Sequence, residues 1–176
     1  DFIILVYWPF IIEKKIFKFF RNSINFHPSY LPYGRGWYPH IHAINQNFPW
    51  GVSLHKINIG IDTGDIWCQK RIKIKDFLSS DQLYEIGKRE ILNLFKKNFK
   101  KIINNKIKAK KKSKKTKYLK FSDIEKYNEI KLNQKIIFKS LIKLIMSRQF
   151  KDKSFLYFKN GKTKNFINLS IKKIIN

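Results

Sequence analysis

The chain has 176 residues and is 43% hydrophobic, which supports one domain with a buried core and a small addition. Its single cysteine, Cys68, excludes a disulfide framework, and no apolar run reaches the length of a membrane span. The apolar N-terminal segment opens without Met and lacks the basic leader of a signal peptide, so we expect a cytoplasmic piece of a longer protein, without membrane association.

The chain is strongly basic, with 38 Lys and Arg against 12 Asp and Glu and a formal net charge of +26. The excess is nearly all Lys and accompanies heavy use of Ile and Asn, a combination typical of A/T-rich codons. The alternative is a functional role, either in steering an anionic substrate or in attracting RNA. The sequence alone leaves both interpretations open.

The first part of the chain alternates short strands with helical segments. Residues 2–7 form a wholly apolar run typical of a buried strand in a parallel sheet, and residues 13–20 have helical spacing. Residues 24–26 predict a short strand, followed by an ordered loop over residues 29–39 that is rich in Pro, Gly and aromatic residues. A short helix is predicted over residues 38–45.

Two further strands and a long helix follow. Residues 52–57 and 66–74 alternate as strands and are joined by a tight loop over residues 59–65. A helix capped by Ser79 or Ser80 extends to residue 103, with an apolar stripe along one face.

The remainder predicts a small α+β tail. Residues 106–117 are dominated by Lys, and we expect a solvated linker there. A helix is predicted over residues 134–146, and the Asn160-Gly161 pair predicts the turn of a hairpin. The predicted fold class is therefore α/β, with a core over residues 1–105, this linker, and a C-terminal subdomain over residues 118–176.

Three polar residues lie where predicted strands meet loops. Asn25 and His27 are two apart at the end of a short strand, so their side chains share one face of the sheet. Asp62 lies in the glycine-bearing loop between the next two strands. Ligands of open α/β sheets bind beyond the carboxyl ends of strands, so these three side chains are candidates for one site.

The segments around these residues resemble the signatures of a known enzyme superfamily. The first reads Asn-Phe-His-Pro-Ser-Tyr-Leu-Pro over residues 25–32, followed by Arg35-Gly36. The second reads Gly-Val-Ser-Leu-His over residues 51–55, followed by Gly-Ile-Asp-Thr-Gly-Asp-Ile over residues 60–66. In order and spacing they are similar to the 10-formyltetrahydrofolate-dependent formyltransferases, which include methionyl-tRNA, glycinamide ribonucleotide and sugar N-formyltransferases. The resemblance covers residues 1–103 well and the tail only loosely.

The resemblance implies a Rossmann-like formyltransferase core that lacks its first strands in this sequence. It also implies transfer of a formyl group from 10-formyltetrahydrofolate, as co-substrate, to a primary amine. The superfamily's catalytic Asn, His and Asp correspond to Asn25, His27 and Asp62. In such a reaction Asn25 can donate a hydrogen bond to the oxyanion, His27 can shuttle a proton, and Asp62 can orient His27.

The same resemblance implies two sets of binding residues. Around the folate we expect Tyr7, Trp8, Phe10, Ile11, Ile59 and Ile61. Around the acceptor we expect Ser29, Tyr33, Arg35 and Tyr38, and Arg35 could pair with a phosphate. No metal is expected, because His40 and His42 are two apart in a predicted helix and do not face each other.

The identity of the acceptor depends on weaker features. The run Arg-Gly-Trp-Tyr-Pro over residues 35–39 resembles enzymes that act on nucleotide-linked amino sugars, and the small tail is short for a tRNA-binding domain. We therefore expect a small phosphorylated amine, namely an amino sugar on a nucleotide. The alternatives are methionyl-tRNA, with the lysines as RNA contacts, and a non-catalytic fragment of the superfamily. The sequence does not predict the oligomeric state.

Overall fold

The computed structural model describes residues 1–75, 77–112 and 116–172, and its centre is a four-stranded sheet in the order β1-β2-β3-β4. β1 is parallel to β2, whereas the β2–β3 and β3–β4 pairs are antiparallel. The four strands span Phe2–Val6, Asn22–His27, Trp50–His55 and Ile66–Ile72.

β1 is only half buried, unlike the fully buried strand that its apolar sequence predicts. Within the described residues it pairs with β2 alone, and Ile4 and Val6 are 38% and 56% exposed. An apolar run cannot show whether a strand has neighbours on both sides. The helix predicted over residues 13–20 is a 3-10 helix, Lys14–Phe19, as is common for short helical segments.

β3 is the centre of the core, and all six of its residues are buried. The long helix α2, Ser80–Ile103, packs across β3 and β4. Ser79 caps this helix, as predicted, and its backbone N–H donates to Gln82 Oε1 at 3.0 Å. The apolar cluster between sheet and helix contains Ile24, Phe26, Val52, Leu54, Trp67, Ile91 and Ile102.

The tail packs on the core through two helices, α1, Pro39–Gln46, and α3, Phe138–Ser147. At their contact Asn45 Nδ2 donates to Ser147 Oγ at 2.8 Å. α3 begins later than predicted, because residues 131–134 form a turn closed by backbone hydrogen bonding. The tail strands β5 to β8 form two hairpins, one at the predicted Asn160-Gly161 turn, and span Gln149–Phe150, Lys153–Ser154, Tyr157–Asn160 and Thr163–Phe166.

The lysine-rich segment is not a free linker where it is described. Most of its lysine side chains are exposed, but Lys110 exchanges two backbone hydrogen bonds of 2.8 Å with Ile66 at the start of β4. Residues 113–115 of the predicted linker and 173–176 of the predicted subdomain lie outside the described residues. The division into core, linker and subdomain stays a prediction.

No helix in the described part of the chain is both long enough and apolar enough to cross a bilayer.

Because β3 is at the centre of the core, truncating one of its buried side chains should destabilise the fold. Leu54 is fully buried, so Leu54→Ala should lower the free energy of unfolding by about 2–5 kcal/mol. The control is Leu132→Ala, because Leu132 is 68% exposed, and its effect should stay within about 0.5 kcal/mol. Urea denaturation measures both. Equal losses in the two variants would contradict a central position for β3.

Candidate active site

The candidate site lies at one end of the sheet, where β2 carries Asn25 and His27. Because β2 and β3 are antiparallel and pair Asn25 with His55, the end of β3 brings a second histidine to the same place. The loop between β3 and β4 carries Asp62 into contact with these residues. The structure thus brings together the three side chains predicted to be catalytic and adds His55, which the sequence analysis did not select.

The Asp62 carboxylate is the centre of this cluster. Its Oδ2 accepts a hydrogen bond from the Gly36 N–H at 2.7 Å and lies 3.6 Å from His27 Nδ1. Its Oδ1 lies 3.4 Å from both His55 Nε2 and Asn25 Nδ2. Burial raises the pKa of Asp62, but the two histidines and the Gly36 hydrogen bond together lower it well below its usual range. Asp62 is therefore ionised at neutral pH.

Gly36 can donate this hydrogen bond because it has no side chain. Its φ is +90°, in the region that favours glycine, and a Cβ there would lie 2.2 Å from the Leu119 carbonyl oxygen. The glycine of the Arg35-Gly36 signature therefore places a backbone N–H against Asp62.

His27 is buried, and the ring nitrogen that does not face Asp62, Nε2, forms a hydrogen bond. Nε2 lies 2.8 Å from the Gly34 carbonyl oxygen, which can only accept, so Nε2 carries a proton. Burial is the largest influence on the pKa of His27 and lowers it, although Asp62 opposes this. At neutral pH the ring is therefore neutral, with a lone pair on the Nδ1 that faces Asp62. The adjacent carboxylate can stabilise the imidazolium once Nδ1 takes up a proton.

His55 fixes the orientation of the Asn25 amide. His55 Nδ1 donates to the Lys56 carbonyl at 2.7 Å, and Nε2 accepts from the Asn25 amide, whose nitrogen can only donate. Asn25 Nδ2 lies 3.1 Å from this Nε2 and 3.4 Å from Asp62 Oδ1. Because these two acceptors are only 3.4 Å apart, one N–H can serve both, and the second N–H is available to a ligand.

A cavity of about 740 Å³ adjoins the cluster, and Asn25, His27, His55 and Asp62 form a polar part of its wall. The wall also contains four Phe, Trp or Tyr residues that were not predicted for the site, Phe17, Phe26, Trp37 and Tyr84. All six residues predicted to contact folate line it, namely Tyr7, Trp8, Phe10, Ile11, Ile59 and Ile61.

Of the residues predicted to contact the acceptor, Tyr38 lines the cavity, whereas Ser29, Tyr33 and Arg35 do not. Ser29 is fully buried, and its hydroxyl donates to a backbone carbonyl of its own loop at 2.7 Å. Arg35 donates to the Ile61 carbonyl at 2.9 Å and to the Thr116 carbonyl at 2.7 Å. These hydrogen bonds satisfy backbone carbonyls, and contact of Ser29, Tyr33 and Arg35 with the acceptor stays a prediction.

Helix α1 buries two histidines, His40 and His42, and His40 lines the cavity. Burial lowers the pKa of His40 to about 3 and that of His42 to about 4, and the nearby Arg148 guanidinium contributes to both shifts. Across residues 1–75, 77–112 and 116–172, no group of three or more His, Cys, Asp or Glu side chains could hold a metal ion.

Fold and site together define an α/β protein whose chemistry centres on a buried carboxylate and histidine at the end of a sheet. Comparison with known proteins identifies the family. Residues 1–117 match the family described as formyl transferase, and the chain belongs to that family. The superfamily predicted from the sequence signatures is confirmed.

Among curated relatives, the dTDP-4-amino-4,6-dideoxyglucose formyltransferase of Mycobacterium tuberculosis is 35% identical over 63 residues. The match covers 36% of this chain and 27% of that protein, so the chain spans only about a quarter of the relative's length. Methionyl-tRNA formyltransferases also match, over 28% of the length of one from Finegoldia magna.

Solved structures extend the likeness over the tail. A 4-N formyltransferase from Francisella tularensis is 26% identical with a TM-score of 0.92, covering 99% of this chain and 72% of that chain. The formyltransferase PseJ from Anoxybacillus kamchatkensis, solved with UDP-4,6-dideoxy-4-formamido-L-AltNAc and tetrahydrofolate, is 34% identical with a TM-score of 0.68. That match covers 72% of this chain and 68% of that chain. The predicted Rossmann-like core with a small α+β tail is confirmed.

The lowered pKa of His40 predicts a loss of stability in acid. The neutral ring contributes stability above the unfolded pKa of 6.5, and this is lost as the pH falls towards the folded value of about 3. Between pH 7 and pH 5 the wild type should lose about 2 kcal/mol from this residue, and His40→Asn should lack this loss. Urea denaturation at the two pH values measures it. An equal fall in variant and wild type would show that His40 is not buried as a neutral ring.

Proposed function

We propose that the protein containing this chain is a formyltransferase that transfers a formyl group from 10-formyltetrahydrofolate to the primary amine of a nucleotide-linked amino sugar. The observation that carries the proposal is the buried cluster of Asn25, His27, His55 and Asp62 beside a largely apolar cavity. Membership of the formyl transferase family supports it.

In the proposed reaction the acceptor nitrogen attacks the formyl carbon, and the bond from that carbon to N10 of the folate then breaks. The carbonyl oxygen becomes negative in the tetrahedral intermediate, and the free N–H of Asn25 donates to it. The lone pair on His27 Nδ1 accepts a proton from the amine, and the ring gives a proton to N10 as it leaves. Asp62 stabilises the positive charge of His27 between these two steps.

The distances agree with these roles before substrate binds. His27 Nδ1 lies 3.6 Å from Asp62 Oδ2, and the ionised carboxylate has no proton to donate, so the lone pair is not committed to Asp62. Catalytic hydrogen bonds are often long in the free enzyme and tighten in the complex. The acceptor amine, or a water that relays its proton, can therefore use this lone pair.

The folate is assigned to the apolar part of the cavity. Tyr7, Trp8 and Phe10 supply flat aromatic surfaces, and Ile59 and Ile61 supply aliphatic ones from the loop that carries Asp62. Ligand sites of this kind combine an apolar lining with a few polar groups that fix orientation. No metal is part of the proposal, since the His27–Asp62 pair supplies both proton transfer and charge stabilisation.

For the acceptor, a nucleotide-linked amino sugar is favoured over methionyl-tRNA. The relative from Mycobacterium tuberculosis is named for a dTDP-linked amino sugar, and the structure from Anoxybacillus kamchatkensis holds a UDP-linked formamido sugar. Trp37 and Tyr38 add aromatic surface for a sugar or a base at the cavity wall. We propose the cytoplasm as the place of this reaction, in keeping with the free thiol of Cys68.

The test is formyl transfer by the complete gene product from 10-formyltetrahydrofolate to nucleotide-linked amino sugars and to methionyl-tRNA. Asp62→Asn keeps the size of the side chain but removes the charge that stabilises His27, so kcat should fall by about 10²–10⁴-fold. Asp152→Asn is the matched control, because Asp152 is exposed in a turn of the tail, and it should keep full activity.

Turnover on methionyl-tRNA alone would replace the sugar with the alternative acceptor. Absence of turnover on every acceptor, with a folded wild-type protein, would reject the enzymatic proposal and leave a non-catalytic member of the family.

A second variant tests the role of His55. His55→Phe removes the acceptor that orients Asn25, so kcat should fall by up to about 100-fold with little change in the KM for folate. His55→Gln can return an acceptor oxygen and should recover part of the loss. If both variants keep wild-type kcat, the orientation of Asn25 does not depend on His55.

A further inference from the structure

Part of the lysine-rich segment crosses the loop that carries Asp62. We name residues 110–112 and 116–119 the strap. At its first end Lys110 forms a pair of backbone hydrogen bonds with Ile66, each 2.8 Å. At its other end the Leu119 N–H donates to the Arg35 carbonyl at 2.7 Å, and its carbonyl accepts from the Trp37 N–H at 2.9 Å. The strap therefore joins the loop of Asp62 to the loop that follows His27.

Asp62 needs such support because its backbone is in an unfavourable conformation. Its φ is +48°, in the left-handed region that residues with side chains rarely adopt. Conformations of this kind persist where surrounding contacts hold them, and they are concentrated at functional sites. The ammonium group of Lys112 donates a hydrogen bond to the main-chain carbonyl of Asp62, and Arg35 Nε donates to the preceding carbonyl, that of Ile61, at 2.9 Å.

Lys112 therefore differs in its surroundings from the neighbouring lysine that the structure describes, Lys111. Its side chain is half buried, whereas that of the adjacent Lys111 is exposed. Its charged neighbours are the carboxylates of Asp62 and Asp65 and the guanidinium of Arg35. Burial is the main cause that lowers the pKa of Lys112, to about 8, so the ammonium is still the main form at neutral pH.

We propose that Lys112 is a positioning residue for formyl transfer, which holds the Asp62 loop in place through the strap and keeps a positive charge beside the His27–Asp62 pair. The role rests on the function proposed above, but its structural basis does not require turnover.

The charge of Lys112 has a consequence at His27. Burial is the largest influence that lowers the pKa of His27, Asp62 raises it, and the positive charge of Lys112 lowers it further. Removing the Lys112 ammonium takes away one cation that opposes protonation of His27. A contact that only stabilised the fold would leave the titration of His27 unchanged.

The experiment compares Lys112→Met with Lys111→Met in the complete gene product, following the histidine ring signals by NMR as a function of pH. This chain contributes 4 histidines, and the His27 signal is assigned by its absence in His27→Gln. Lys112→Met should raise the titration midpoint of His27 by roughly half a pH unit. Lys111→Met should leave it at the wild-type value.

Kinetics supply the second readout. Lys112→Met should lower kcat by roughly tenfold and move the acid limb of the pH profile upward, while Lys111→Met matches the wild type. Lys112→Arg keeps both charge and donor and should restore kcat and the His27 midpoint, which also covers the case that Lys112→Met does not fold. If the two Met variants share one midpoint and one kcat, or if Lys112→Arg behaves as Lys112→Met, the proposal is overturned.

The two proposals fail in different ways. A wild type without turnover on any acceptor would reject the function, while the NMR titration would still decide whether Lys112 acts on His27.

Discussion

A buried carboxylate is stable only where donors and positive charge surround it, and Asp62 places this requirement on the whole site. The Gly36 N–H donates to one of its oxygens, Asn25 Nδ2 lies 3.4 Å from the other, and the Lys112 ammonium is a positive charge close to it. The ionised Asp62 in turn determines the hydrogen bonding of the adjacent His27 and Asn25 side chains. His27 is left with an uncommitted lone pair beside a fixed negative charge, and Asn25 is turned so that one N–H is free.

These contacts come from segments that are far apart in the chain. β2 supplies Asn25 and His27, the end of β3 supplies His55, and the loop before β4 supplies Asp62, while the strap reaches back from beyond α2. The site therefore depends on contacts between segments that only the folded chain brings together. A site built in this way can change the residues of its cavity wall and still keep the geometry of its polar groups.

Much of this site could be predicted from the sequence, because Asn25, His27 and Asp62 lie at strand ends with recognisable spacing. The six aromatic and aliphatic residues of the cavity wall could also be selected from the sequence, because the resemblance to the superfamily implies them. His55 could not, because its contact with Asn25 depends on the register between β2 and β3, which no local pattern encodes. The inward orientation of Arg35 and the contact of Lys112 with Asp62 depend on distant segments, and a long basic side chain looks solvated until they are known.

The cavity wall has a thermodynamic consequence that follows from its exposure. Trp8, Phe10 and Ile11 are 51%, 70% and 84% exposed, so water covers much of the apolar surface assigned to the folate. A ligand that covers this surface displaces that water, and burial of apolar area gives a negative heat capacity change. The enthalpy of association then becomes more favourable as the temperature rises, while its entropy becomes less so. The temperature of a calorimetric measurement therefore decides which of the two terms drives binding.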